Sequence, residues 1–105
     1  MGNLASLNAA TQMGPGTSNK LAMSTARHTM IVTITGTPTS VVTVLQGSHD
    51  GTHWVDVGRI QSTSDGILNT DANGTLVSWI RADLRELVSF GPATVTASIA
   101  SADGT

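Results

Sequence analysis

The chain reads as an all-β protein: a small antiparallel β-sandwich or barrel-like domain with an extended N-terminal arm. Three observations carry that expectation. Apolar residues recur at every second position in Met30-Val32-Ile34 and again in Val95-Ala97-Ile99, the spacing of a strand with one buried face. Val, Ile and Thr fill these runs, and β-branched side chains suit a pleated surface. Clusters of Gly, Asn, Asp, Ser and Pro separate the runs at short intervals, as in sandwiches and barrels. A chain of 105 residues suits one domain, which buries roughly 60–70% of the surface its unfolded form exposes. That suffices for a core without disulfides, and the chain has no cysteine to form one.

Residues 1–26 have no clear period, and Gly14-Pro15-Gly16 would break any helix begun upstream. Leu4, Leu7, Met13, Leu21 and Met23 are scattered among small polar residues. Two readings fit: a disordered terminus, or an arm that orders against a neighbouring molecule through those five side chains. Residues 27–100 form the expected sandwich domain. From His28 the pattern turns to period two, with Met30, Val32 and Ile34 on one face, Thr29, Thr33 and Thr35 on the other, and Ile31 as the exception. After the turn at 36–40, Val41 to Gln46 is apolar on both faces, which predicts a central strand covered on two sides or covered by a partner subunit. A tight turn from Ser48 to Thr52 leads to a strand from His53 to Ile60, with Gly58 at a bulge. A short strand is expected around Ile67-Leu68, and Asn73-Gly74 is a strong hairpin-turn signal. Leu76 to Ala82 reads as a strand, the spacing of Leu84, Leu87 and Val88 predicts a helical turn over 83–88, and Thr94 to Ala100 is the last strand. Residues 101–105 form a short polar tail.

Composition narrows the partners. Net charge is −2 and only 11% of residues are charged, about half the usual fraction. Five scattered Lys and Arg make no basic stripe to neutralise phosphates, and three aromatics give few stacking platforms, so no nucleic acid is expected. No apolar run reaches the length of a membrane span, and no signal peptide is read at the start. Met1-Gly2-Asn3-Leu4-Ala5-Ser6 fits a myristoylation pattern, but without a polybasic second signal no membrane partner is expected. Hydroxyl-bearing and small side chains dominate instead. They lose little entropy on burial and suit contact with other protein.

No residue set argues for catalysis. His49 and His53 with Asp50 between them lie on a turn and its following strand, short of the three or four ligands a zinc site needs; no metal or cofactor is expected. Asn69 to Gly74 resembles the front of a calcium loop, but the twelfth position is Ile80 where a bidentate Glu belongs. Ser48 beside His49 lacks the strand-to-helix elbow of a hydrolase nucleophile. Asp50 and Asp56 read as surface aspartates, and Trp54 and Trp79 as core residues.

The run Gly47-Ser48-His49-Asp50-Gly51-Thr52-His53-Trp54, between two strands, resembles a motif of small tailed-phage virion proteins. So does Arg81-Ala82-Asp83-Leu84 followed by the closing strand Ala93-Thr94-Val95-Thr96-Ala97. The nearest functional match is the capsid decoration (cement) proteins, and the likeness covers roughly residues 28–100. Gly47, Ser48, Asp50, Gly51 and Trp54 carry it as a fold signature, so it transfers no binding residue. Similar Ser-x-Asp-Gly-x-x-Trp runs occur in discoidin-type carbohydrate-binding sandwiches. The resemblance implies a non-enzymatic virion protein, made in the host cytoplasm, that binds the major capsid protein lattice on the outside of the head, as a homo-oligomer with a trimer favoured. The alternatives are a glycan-binding module of a tail or fibre, and a tail-tube or connector subunit.

Overall fold

The computed structural model describes residues 3–25, 27–70 and 77–101. The described residues form strands β1 (Asn3–Ala10), β2 (Gly14–Pro15), β3 (Asn19–Thr25), β4 (His28–Gly36), β5 (Ser40–Ser48), β6 (Trp54–Gln61), β7 (Gly66–Thr70), β8 (Val77–Val88) and β9 (Ala93–Ser101), with no helix among them. They make two sheets. One runs β1-β9-β4-β7. The other runs β2-β8-β5-β6, with β3 also paired to β8. Every pairing is antiparallel. The all-β, antiparallel expectation therefore holds.

The first sheet is built on an unbroken ladder between β4 and β9, from His28 opposite Ser101 to Gly36 opposite Ala93. Its register puts the two period-two patterns on the same sides. Met30, Val32, Val95, Ala97 and Ile99 point inward and are fully buried, while the Thr residues between them point out. In the second sheet β5 is the central strand, with β8 and β6 on either side, and every residue from Val41 to Ser48 is buried. Val41 and Leu45 join the inter-sheet core with Val77, Ile80, Ala82 and Leu84. Val42 and Val44 face the other way, yet are almost as deeply buried. They lie beside the long side chains of Arg59, Arg85 and Glu86 from the flanking strands. Charged residues can cover apolar surface with their aliphatic stems while the heads stay in water. The two-sided burial of this strand thus needs no second subunit.

Three expectations are corrected. The N-terminal segment is not an extended arm. β1 forms one edge of the first sheet, while β2 and β3 follow one another along β8. Leu7 and Leu21, expected to face a partner, are 5% and 8% exposed and belong to the core. Met13 is 61% exposed, on the crossing between sheets. Leu4 pairs through its backbone with Ile99; its side chain and that of Met23 lie outside the described residues. Second, 83–88 is strand, not helix, because β8 continues to Val88 opposite Ser40. The spacing of Leu84, Leu87 and Val88 arises from a register shift opposite Val42 and Thr43, which places Arg85 as an extra residue in β8. An added residue reverses strand parity and imitates a helical offset. Third, neither tryptophan is in the core cluster. The Asn73-Gly74 turn, the centre of the calcium-like loop and residues 102–105 lie outside the described residues.

Both edges of the sandwich are held together. On one side Ser6 of β1 crosses to the other sheet: its Oγ accepts the Ala82 amide at 2.9 Å and donates to the Thr17 carbonyl at 2.8 Å. Its own carbonyl accepts the Thr17 amide at 2.8 Å. On the other side Leu68 of β7 lies over Gly58 of β6, where a Cβ would collide with it. The register shift between Leu45 and Gln46 leaves Val57 as the extra residue, so the expected bulge is at Val57-Gly58.

Candidate functional site: a self-bonded turn and two unlike sheet faces

The signature run folds into a closed hydrogen-bond network. Ser48, at the end of β5, is buried. Its Oγ accepts the Gly51 amide at 2.8 Å and the Asp50 amide at 3.3 Å, and donates to Asp50 Oδ1 at 3.0 Å. Asp50 Oδ1 in turn accepts the amides of Thr52 and His53, both at 2.8 Å. Asp50 Oδ2 meets His53 Nδ1 at 2.7 Å. These contacts hold the Asp50 carboxyl well below the usual carboxylate range, the His53 amide contributing most, then the His53 ring, the Thr52 amide and, more weakly, Ser48. Gly51 takes φ +81°, and a Cβ there would lie 3.0 Å from the Trp79 indole. A left-handed residue pressed against a ring explains why glycine stands at this position. The sequence singled out Gly47, Ser48, Asp50, Gly51 and Trp54, and the structure brings them together. What they build is a turn whose polar groups satisfy one another.

The outer face of the β2-β8-β5-β6 sheet starts at this turn. Ser48 has Trp54 on one side and Trp79 on the other. The Arg81 guanidinium lies 4.0 Å from the centre of the Trp54 ring and donates through Nε to Gln46 Oε1 at 2.9 Å. Gln46 passes the chain on to Asp56 at 3.1 Å. Arg85 grips both oxygens of Asp56 at 3.1 and 3.2 Å and reaches Asp83 at 3.1 Å. Arg85 first, then Gln46, lowers the Asp56 carboxyl pKa; Asp56 first, then Asp83, raises that of the Arg85 guanidinium. Both histidines of the turn are exposed. Among the described residues no three metal-ligating side chains of the His, Cys, Asp or Glu type converge. The nearest approach to a constellation is therefore a polar ladder on a solvent face, in which Arg85 pairs with Asp56 and Asp83 and Arg81 is tied in through Gln46.

The outer face of the β1-β9-β4-β7 sheet is unlike it. None of its four strands contains Asp, Glu, Lys or Arg, whereas the other sheet carries Lys20, Asp56, Arg59, Arg81, Asp83, Arg85 and Glu86. Across β4 and β9 the register sets Thr33 opposite Thr96 and Thr35 opposite Thr94, the last two joined through their hydroxyls. Ile31 sits opposite Ile67 of the edge strand β7, and they are 45% and 67% exposed. The only sequence signal for this pair was Ile31 breaking the alternation. That Ile67 stands beside it could not be read without the pairing.

Together these features define a compact antiparallel β-sandwich with a self-bonded Ser-x-Asp-Gly-x-x-Trp turn, one charge-laced face and one whose strands carry no charge, with Asp65 bonded to the Ile34 amide at its rim. Among solved structures it is similar to the SPBc2 prophage-derived protein YomS, with a TM-score of 0.59 at 13% identity, covering 93% of this chain and 90% of that one. It is also similar to the C-terminal domain of a chitobiase from Bacteroides fragilis, with a TM-score of 0.52 at 15% identity, covering 79% of this chain and 60% of that one. These likenesses show the sandwich fold, shared with a prophage-derived protein. No family model and no curated protein sequence matches the chain.

Proposed function

We propose that this protein is a non-catalytic phage capsid decoration protein that adheres to the assembled head through the outer face of its β1-β9-β4-β7 sheet. The supporting observation is that no strand of that sheet carries a charged side chain, Asp65 and Arg27 standing only at its rim, with the exposed pair Ile31 and Ile67 set among threonine hydroxyls. Burying the strands of this surface removes apolar area from water and strands no ion as long as Asp65 at the rim stays in water. Threonine is stiff at χ1, so little rotamer freedom is lost on contact. The opposite face, where Asp56, Arg85 and Asp83 satisfy one another and Arg81 is held by Gln46 and Trp54, is suited to water. A protein that binds only the assembled lattice stabilises that lattice by mass action, and several copies joined together gain avidity.

The glycan-binding alternative ranks lower. A sugar stacks on an open indole face, and here Arg81 covers Trp54 while Gly51 packs on Trp79. Electron microscopy of shells incubated with purified protein tests the proposal. The unmodified chain and Arg85→Ala should occupy the shell, and Thr33→Arg with Ile67→Glu should not. Full occupancy by the charge-bearing variant would refute the assignment of this face. Quenching of tryptophan fluorescence by sugars would favour the glycan reading instead.

A further inference from the structure

Arg81 on β8 stands opposite Gln46 on β5, which stands opposite Asp56 on β6. The three side chains form a row across the outer face of the second sheet, close to the signature turn. Gln46 is buried, and both ends of its amide are used: Oε1 accepts from Arg81 Nε at 2.9 Å, and Nε2 donates to Asp56 at 3.1 Å. Arg85 in turn holds Asp56. With its Nε fixed in this way and its guanidinium 4.0 Å from the centre of the Trp54 ring, Arg81 is held in one orientation. Yet among the described residues its two terminal nitrogens meet no hydrogen-bond acceptor, and no carboxylate pairs with it. The carboxylates that flank it on this face, Asp56 and Asp83, are taken up by Arg85. Lys20 stands opposite Trp79, two residues before Arg81, and is exposed. A diagonal cross-strand neighbour at that offset is within reach of a long side chain. Among the described residues Lys20 has no carboxylate partner either.

We propose that Arg81 is a preformed receptor for a single carboxylate, an Asp or Glu side chain on the surface of another protein, with Lys20 as an auxiliary cation. The edge of a guanidinium offers two parallel N–H donors that match the two oxygens of a carboxylate. The Trp54 contact and the Gln46 bond already order the side chain, so little rotamer freedom is lost when the ligand arrives. The neighbouring Asp56 and Asp83 carboxylates set the charge of that ligand, because they repel a phosphate dianion more than a carboxylate monoanion. The fork opens on a sheet face beside Trp54, whereas a small acid needs enclosure to bind well. A carboxylate carried on a protein surface is therefore the better fit. When the β1-β9-β4-β7 sheet is buried, this face is still in water, so the receptor stays accessible on an adhering copy. The inference does not depend on that adhesion and is tested without a capsid.

Proton–nitrogen NMR of the purified full chain tests it, following the arginine Nε–H and tryptophan indole signals. Sodium acetate should shift the Arg81 and Trp54 signals along a saturating curve while those of Arg59 stay nearly unmoved. A blocked Gly-Glu-Gly peptide should bind there about tenfold more tightly than its Gly-Gln-Gly counterpart, the scale of one charge-assisted hydrogen-bonded contact. Arg81→Lys keeps the charge but removes the fork, and should abolish the saturable Trp54 shift with Tm nearly unchanged. Arg59→Lys should leave that shift in place. Equal shifts at both arginines of the unmodified protein, or an unchanged Trp54 shift in Arg81→Lys, would overturn the proposal. Tighter binding of inorganic phosphate than of acetate would overturn the carboxylate as ligand. Saturation by acetate with no preference for the Glu peptide would overturn the acidic side chain as its source.

Discussion

Ser48 is buried and its hydroxyl takes part in three hydrogen bonds. Ser48→Ala should therefore cost about 1–3 kcal/mol in urea denaturation, since the Gly51 amide loses its acceptor. Gly51→Ala should destabilise by at least about 1 kcal/mol, because the left-handed φ and the Trp79 contact act together. Acid provides a separate test. The Asp50 pKa is lowered on folding, so its contribution is present in full above the unfolded value of about 3.9 and is lost only as pH falls through the folded value. The Thr52 and His53 amide resonances should accordingly titrate well below pH 3.9; a midpoint at or above that value would show that the network does not persist in solution. Thr43 is the opposite case. It is completely buried, and among the described residues its Oγ1 has no hydrogen-bond partner. Thr43→Val should stabilise by about 1 kcal/mol, raising the urea midpoint with an unchanged slope. The roles of Ser48, Asp50 and Gly51 were legible because side-chain-to-backbone turns are local in sequence. The positions of Trp54 and Trp79 were not, since an indole reads alike whether it covers an outer face or fills a core.

At the scale of elements, the strands with clean alternation were legible and the irregular ones were not. Pairing between β4 and β9 follows directly from two period-two runs. β1 departs from any period because register shifts flank Leu7, and because Ser6 turns toward the other sheet. A strand with bulges loses the alternation that would reveal it, and the segment then resembles a loose arm. The consequence can be tested. Leu7→Ala should cost about 2–5 kcal/mol, as for other buried large-to-small changes. Deleting residues 1–26 should abolish cooperative thermal unfolding, because it removes an edge from each sheet along with Leu7 and Leu21. A truncated chain that melts at the unmodified Tm would contradict the strand assignment.

At the scale of the whole molecule, the two outer faces are the feature with functional weight. Lys20, Asp56, Arg59, Arg81, Asp83, Arg85 and Glu86 all fall in one sheet, and the other has none of their kind. Pairing across Asp56 and Arg85 is exposed, and surface ion pairs contribute little. Removing it should hardly change Tm, whereas placing charge at Thr33 and Ile67 should remove adhesion and also leave Tm nearly unchanged. Retained adhesion with a lowered Tm would mean that the face serves the fold alone. The low overall charge was visible in composition, but its segregation was not, because strands sharing a sheet are distant in sequence.

The sequence by itself determined the class of the fold, the central strand from Val41 to Gln46 and the chemistry of the Ser48–Trp54 turn. Each rests on local forces: backbone preference, alternation, and side chains bonding to amides two or three residues away. Only the tertiary structure decided that residues 3–25 complete both sheets, that 83–88 is strand, that Arg81 covers Trp54, and that Ile31 stands beside Ile67 on a face whose strands carry no charge. Those are outcomes of pairing between distant segments, where one added residue in a strand exchanges its two faces. Periodicity along a single chain does not contain that information.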